Sequence, residues 1–110
     1  MAKTIKVVDL RGRKDQEANL EGKPLTTLAL FKAACVVGPQ IRGQKEVGLV
    51  IWRKLEKCLT AIEKAEDDKS DTLTIEDDWY DITKPLVEKI IEGYGVNSPA
   101  IMDGLEKAIS

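Results

Sequence analysis

The sequence predicts a mainly α protein: a small helical domain of about four helices with a short N-terminal β-strand, formed by residues 1–110 as a single domain. Three observations support this prediction. A chain of 110 residues has the usual length of one domain. Apolar residues make up 43% and charged residues 33%, a balance typical of globular chains. Apolar side chains also recur at helical spacing along most of the chain.

The N-terminal strand is predicted by "TIKVVDL", residues 4 to 10, which is rich in β-branched residues. A lone strand needs a partner. We therefore expect it to pair either with "TLTI" at residues 72 to 75 or with a neighbouring chain. Residues 11 to 24 are polar and have no apolar period, so a loop is predicted there.

The first helix is predicted for "LTTLALFKAACVV", residues 25 to 37, which ends before Gly38 and Pro39. Its apolar residues surround the whole helix and are interrupted mainly by Lys32 and two threonines. A helix that is apolar on all sides is usually buried on all sides, so we expect a central core helix. The alternatives are that one side contacts a partner, or that this short apolar segment is a buried strand.

The second helix is predicted for residues 46 to 65. Its core stripe has spacings of three and four and consists of Val47, Ile51, Leu55, Cys58 and Ile62. Further apolar residues lie off this stripe: Val50 on one side, Leu59 and Trp52 on the other, and Leu49 beyond them. The apolar arc is therefore wider than one core-facing side requires.

The third helix is predicted for residues 75 to 92, and it begins in the acidic stretch "TIEDDWYDITKP". Thr74 is the expected N-cap, with Asp77 completing a capping box. Glu76, Asp77 and Asp78 then occupy the first turn, where the helix dipole favours negative charge. Because these carboxylates spread over the polar side of the helix, they do not converge as a catalytic pair must. The stretch is therefore interpreted as a helix start.

Two apolar lines run along this third helix. The predicted core line consists of Ile75, Trp79, Ile82, Leu86 and Ile90, and the second line of Tyr80, Val87 and Ile91. Pro85 lies on the solvent side, where it predicts a kink or a break into two short helices.

The fourth helix is predicted for residues 99 to 109. Gly93 stops the preceding helix, and Ser98 followed by Pro99 starts the last one. Because a helix this short is marginal alone, we expect it to dock on the rest of the domain.

The composition argues against an enzyme. The chain has no histidine, which removes the commonest general base and the commonest transition-metal ligand. The sequence also lacks a glycine-rich phosphate loop. We therefore predict no catalytic residues, no metal ligands and no cofactor.

Cys35 and Cys58 both lie in apolar segments, so buried free thiols are expected, with a disulfide as the alternative. Residues 1 to 10 do not resemble a secretory signal, which favours the reducing cytoplasm.

The surplus of apolar helix surface predicts a protein that acts through protein–protein contacts, either as a homo-oligomer or with a partner protein, and not at a membrane. Aromatic residues at the edge of a core stripe are typical of such contacts. The predicted protein-binding residues are Trp52, Tyr80, Leu49, Val87 and Ile91.

Nucleic-acid binding is the alternative function. A net charge of −2 gives no overall attraction to nucleic acid, but a local basic surface remains compatible with it. The residues that would form such a surface are Arg11, Arg13, Lys14, Arg42 and Lys45.

Three segments carry a resemblance to a known group of proteins. They are "GKPLTTLALFKAA" at residues 22 to 34, "KLEKCLTAI" at 54 to 62, and the segment from 73 to 106, which contains both "LTIEDDWYDITKPLVEKI" and "YGVNSPAIMDGLE". In this order they resemble small uncharacterised proteins encoded by tailed bacteriophages and prophages. The resemblance implies a viral accessory or virion protein, located in the host cytoplasm or in the virion, and no particular activity.

Overall fold

The computed structural model describes residues 2–37 and 48–109. This part of the chain forms four α-helices and two small two-stranded sheets, so the predicted mainly α class with an N-terminal strand is confirmed. In chain order the elements are β1 (Ala2–Lys6), β2 (Asn19–Leu20), β3 (Lys23–Pro24), α1 (Thr27–Val37), α2 (Leu49–Asp67), β4 (Thr72–Glu76), α3 (Asp77–Glu92) and α4 (Ser98–Ala108). Short 3-10 turns cover Arg13–Asp15 and Gly95–Asn97.

The N-terminal strand pairs within its own chain. β1 and β4 are antiparallel, with Thr4 opposite Thr74 and Ile5 opposite Leu73. Side chains of β4 alternate between buried and exposed, as expected for a strand with one face on a core. The prediction that "TLTI" is the partner is therefore confirmed. The strand ends at Lys6 rather than at residue 10 because β4 is only five residues long.

A small hairpin replaces the predicted loop over residues 11 to 24. β2 and β3 pair around Glu21 and Gly22, which both have positive φ, 53° and 79°. Two consecutive positive φ values are typical of the tight turns that match the twist of a hairpin. The hydroxyl of Tyr94 donates to the carbonyl of Asn19 at 2.9 Å and ties this hairpin to the end of α3. Two-residue strands are too short to show a period in the sequence.

Two threonines start α1. The hydroxyl oxygen of Thr26 accepts a hydrogen bond from the Ala29 N–H at 3.0 Å, which caps the helix. The buried hydroxyl of Thr27 donates to the Lys6 carbonyl at 2.7 Å and accepts from the Val8 N–H at 3.2 Å. α1 thus begins at Thr27 rather than at residue 25, where the backbone bonds to neighbouring segments instead.

We expect Thr27→Val to lower the free energy of unfolding by about 1–3 kcal/mol, because it leaves a backbone donor and a backbone acceptor without their partner. Thr60→Val is the matched control, since the Thr60 hydroxyl is exposed and donates only to a carbonyl of its own helix. Urea denaturation measures the free energy of unfolding of both variants. Equal losses in the two would contradict this role for Thr27.

One side of α1 faces the core and the other side is open. Leu30, Phe31, Ala34 and Cys35 are buried where α1 packs against α2 and α3. On the opposite side Leu28, Ala29 and Ala33 are half-exposed, and Val36 is 60% exposed. The expectation of a helix buried on all sides is therefore wrong, because no element of the described chain covers this side completely. The prediction that this segment is a helix is confirmed, and the alternative of a buried strand is wrong.

α2 begins three residues later than predicted. Gly48 has a φ of 81° and lies outside the helix, which then continues without interruption from Leu49 to Asp67. The predicted core stripe is confirmed from Ile51 onward: Leu55, Cys58 and Ile62 are buried. Val47 lies outside the described residues.

α3 begins at Asp77, and the predicted N-cap at Thr74 is wrong. Thr74 lies within β4, where it pairs with Thr4, so its backbone belongs to the sheet. Asp77 and Asp78 occupy the first turn, as predicted. Of the kink or break expected at Pro85, the break is absent, since α3 continues through this exposed residue to Glu92.

The buried side of α3 differs from the predicted one. Its fully buried residues are Thr83, Leu86, Val87 and Ile91, whereas Trp79, Ile82 and Ile90 are half-buried. Because α3 contacts α1, α2 and α4, it is covered on more than one side. The second apolar line is therefore part of the core.

α4 docks on the body as expected. Ile101, Leu105 and Ala108 are buried, and Ile109 forms a β-bridge with Ile5. The helix starts at Ser98 with Asn97 as N-cap, one residue earlier than predicted. Within the described residues, no helix has the length and apolar character needed to cross a bilayer.

Cys35 and Cys58 are free and buried, as predicted. They belong to α1 and α2, and their thiols lie next to each other where these two helices pack. The hydrogen bond to Cys58, together with burial, raises the pKa of the Cys35 thiol above its ordinary value. The same hydrogen bond lowers the pKa of Cys58, whereas burial opposes this effect.

We expect both native thiols to react slowly with Ellman's reagent at neutral pH and rapidly in urea, because a thiol must be exposed and deprotonated to react. Val96→Cys supplies the control, since Val96 is 78% exposed and its replacement adds one accessible thiol. If the native thiols react as fast as this introduced thiol, the burial of Cys35 and Cys58 is refuted.

Candidate functional site

The acidic residues at the start of α3 do not form a convergent site. Glu76 is the last residue of β4, and Asp81 is exposed one turn into the helix. The carboxylate of Asp78 lies 3.4 Å from the ammonium of Lys54 on α2. Among the described residues there is no group of three or more acidic or cysteine side chains that could hold a metal ion. The stretch stabilises the helix start instead.

Replacing Glu76, Asp77 and Asp78 together by their amides is expected to leave partner binding intact. The loss of stability should be about 0.3–1 kcal/mol for each charge at the helix start. The control removes the same charge from Glu63, Asp103 and Glu106, three exposed carboxylates outside any first turn. Thermal unfolding and a binding assay on both variants test this. Loss of binding in the folded amide variant alone would reveal a functional acidic site.

An exposed apolar surface lies at the beginning of α2. Leu49 is 65% exposed, Val50 is 68% exposed and Trp52 is 37% exposed. We call these three residues the α2 patch. The first fully buried residue of the helix is Leu55, and before it Ile51 is partly buried against the core, whereas the three patch residues are exposed. A contiguous group of large apolar side chains on a surface is typical of a protein-binding site.

A line of cations continues from this patch. Arg53 and Lys57 follow Leu49 at spacings of four and eight residues, so the three side chains lie on one side of α2. Both cations are exposed, and neither makes an ion pair with another described residue. Lys54, by contrast, pairs with Asp78.

The structure separates Tyr80 from the α2 patch. Its half-buried ring lies between two cations, with the ammonium of Lys3 5.4 Å and that of Lys84 5.8 Å from the ring centre. Tyr80 follows Asp78 by two residues, so it points to the side of α3 away from the contact with α2.

Two other predicted protein-binding residues are core residues. Val87 is fully buried and Ile91 nearly so, which corrects their assignment to a contact surface. Of the predicted set, Leu49 and Trp52 lie in the α2 patch. Val50 joins them, although the sequence pattern indicated only that it flanks the core stripe.

A groove adjoins the open side of α1. It has a volume of about 400 Å³ and is lined by the β2–β3 hairpin and by Leu28, Ala29, Ala33 and Val36. Lys32 and Glu66 form an ion pair of 2.9 Å along it, and the hydrogen bond to Glu66 raises the pKa of Lys32. Trp52 precedes Glu66 by about four helical turns, so both face the same side of α2. Trp52 and the groove therefore lie along one side of the helix pair.

Of the basic residues proposed for nucleic-acid binding, the three that the structure describes do not form a net positive surface. Arg11 lies 3.7 Å from Asp15, and the exposed side chains of Arg13 and Lys14 are the remaining cations of this loop. Residues 9 to 17 carry as many carboxylates as cations. Arg42 and Lys45 lie outside the described residues.

Comparison of the chain with protein-family models, with curated proteins and with solved structures finds no match.

Proposed function

We propose that the chain is a non-enzymatic interaction protein that acts through a protein–protein contact at the α2 patch. The observation that carries this proposal is the exposure of Leu49, Val50 and Trp52 within the first turn of one helix. Covering them removes a large apolar area from water, at roughly 25 cal/mol for each Å². Trp is also among the residues that contribute most to interface affinity.

The non-enzymatic part of the proposal is supported by composition and geometry. The sequence contains no histidine, and the acidic residues of α3 spread over a helix start. The phage or prophage setting, with a location in the host cytoplasm or the virion, is supported by the resemblance of the three segments alone. We expect the chain to serve there as an accessory or virion protein.

Site-specific cross-linking in cells tests this function. A benzophenone amino acid replaces Leu49 in one variant and Val96 in the other. Val96 is even more exposed than Leu49 but stands alone on the 3-10 turn before α4. We expect a discrete adduct only from position 49, and its mass distinguishes a second copy from another protein. No adduct from position 49, or the same pattern from both positions, would refute the proposal.

The nucleic-acid alternative makes a different prediction. Binding through Arg13 and Lys14 would retard DNA in a mobility assay, with an affinity that falls steeply as salt rises. Because the carboxylates of this loop balance its cations, we expect no retardation at physiological salt. Retardation that disappears in a variant with Arg13→Glu and Lys14→Glu would support the alternative.

A further inference from the structure

We infer that the partner of the α2 patch is an acidic, apolar protein segment rather than a second copy of this chain. This inference rests on the proposed function and names the chemistry of the partner. The charged residues beside the patch support it.

The α2 segment that carries the patch is basic although the whole chain has a net charge of −2. Residues 48 to 58 contain Arg53, Lys54 and Lys57 against a single carboxylate, Glu56. Lys54 is already paired with Asp78, which leaves Arg53 and Lys57 as the two cations of this segment that make no ion pair with another described residue. Opposite charges across an interface increase the association rate and exclude wrong partners. A partner with carboxylates beside its apolar residues therefore fits this surface.

Pairing of the patch with itself is disfavoured by the same charges. In a two-fold symmetric dimer, identical surfaces face each other across the axis. In a parallel pair, with the axis along the line from Leu49 to Lys57, the Arg53 and Lys57 side chains of one copy would face those of the other. Like charges brought together in an interface are destabilising.

A membrane surface also fits less well than a protein segment. The carboxylates at the start of α3 lie beside the patch, since Asp78 contacts Lys54. A flat anionic bilayer would meet these carboxylates together with the cations. A narrow segment, by contrast, contacts only the line from Leu49 to Lys57, which extends over about 12 Å at 1.5 Å for each residue.

The length of this line indicates the shape of the partner. An amphipathic helix presents two turns over the same distance, with apolar side chains at spacings of three and four. Its apolar side would cover Leu49, with Val50 and Trp52 at the two edges of the contact. Carboxylates one or two turns away would then reach Arg53 and Lys57.

Three synthetic helical peptides test the inference. They share one leucine face, and their flanking positions carry Glu, Gln or Lys. Fluorescence anisotropy measures the affinity of each labelled peptide for the full chain. We expect the Glu peptide to bind about tenfold more tightly than the Gln peptide and the Lys peptide to bind least, with the preference weakening as salt rises.

A charge-swapped variant with Arg53→Glu and Lys57→Glu should reverse this order, whereas Val96→Ser should leave it unchanged. Both cations are exposed, so the swapped chain is expected to fold, and its thermal unfolding verifies this. Equal affinity for the three peptides, or an order that the swap does not alter, would overturn the inference.

Two further outcomes separate this inference from the proposed function. Wild-type self-association that Trp52→Ala abolishes would overturn the acidic partner but support a contact at the patch. Tighter binding to phosphatidylglycerol vesicles than to the Glu peptide would overturn it in favour of a membrane. If patch substitutions change neither peptide binding nor cross-linking, the proposed function itself fails.

Discussion

Replacing Phe31 by alanine is expected to lower the free energy of unfolding by about 3–5 kcal/mol. Phe31 is fully buried and is the largest side chain of the core. It lies on the side of α1 that packs against α2 and α3. The substitution removes buried apolar area and leaves a cavity between three helices. The lost burial and the cavity each lower the free energy of unfolding, so the two contributions add.

Val36→Ala is the matched control on the same helix. Val36 is 60% exposed, so its truncation should change stability by no more than about 0.5 kcal/mol. Urea denaturation of the two variants and the wild type provides the comparison. A loss below about 1 kcal/mol for Phe31→Ala would show that α1 does not form the centre of the core.

The second large effect concerns binding. A variant with Leu49→Ser, Val50→Ser and Trp52→Ala should lose affinity for the Glu peptide, or for the partner that cross-links at position 49. Truncation of one interface hot spot typically costs about 2 kcal/mol or more, which corresponds to roughly thirtyfold in affinity. Calorimetry or anisotropy measures the change.

Val96→Ser is the control for this variant, because it removes a more exposed but isolated apolar side chain. It should bind like the wild type. Equal loss in both variants would mean that exposed apolar residues bind nonspecifically. Undiminished binding in the triple variant would place the contact elsewhere, with the groove along α1 as the next surface to substitute.

The helices were predictable because their signals are local. The stripe from Ile51 to Ile62 follows from its spacing, and Gly93 marks the end of α3. The β1–β4 pair joins segments about seventy residues apart, so "TLTI" fitted equally well as a strand and as the start of a helix. Because Thr74 pairs with Thr4, this segment forms a strand. α3 therefore begins two residues later than predicted.

The surface was only partly predictable. Leu49 and Trp52 lie off the core stripe of α2, and this position indicated exposure correctly. Val87 and Ile91 also lie off the line predicted for α3, but a helical wheel contains no information about how many neighbours a helix has. Because α1, α2 and α4 all contact α3, both of its apolar lines are covered.

The melting temperature of the triple variant, with Leu49→Ser, Val50→Ser and Trp52→Ala, tests most directly whether the α2 patch lies outside the fold and is available for a partner. A loss of 1 kcal/mol lowers the melting temperature of a domain of about 100 residues by roughly 4–8 °C. We predict a decrease of less than about 5 °C, in a preparation that no longer binds its partner. A decrease of about 15 °C or more, comparable with that of Phe31→Ala, would show that these residues hold the domain together and would contradict the proposed contact.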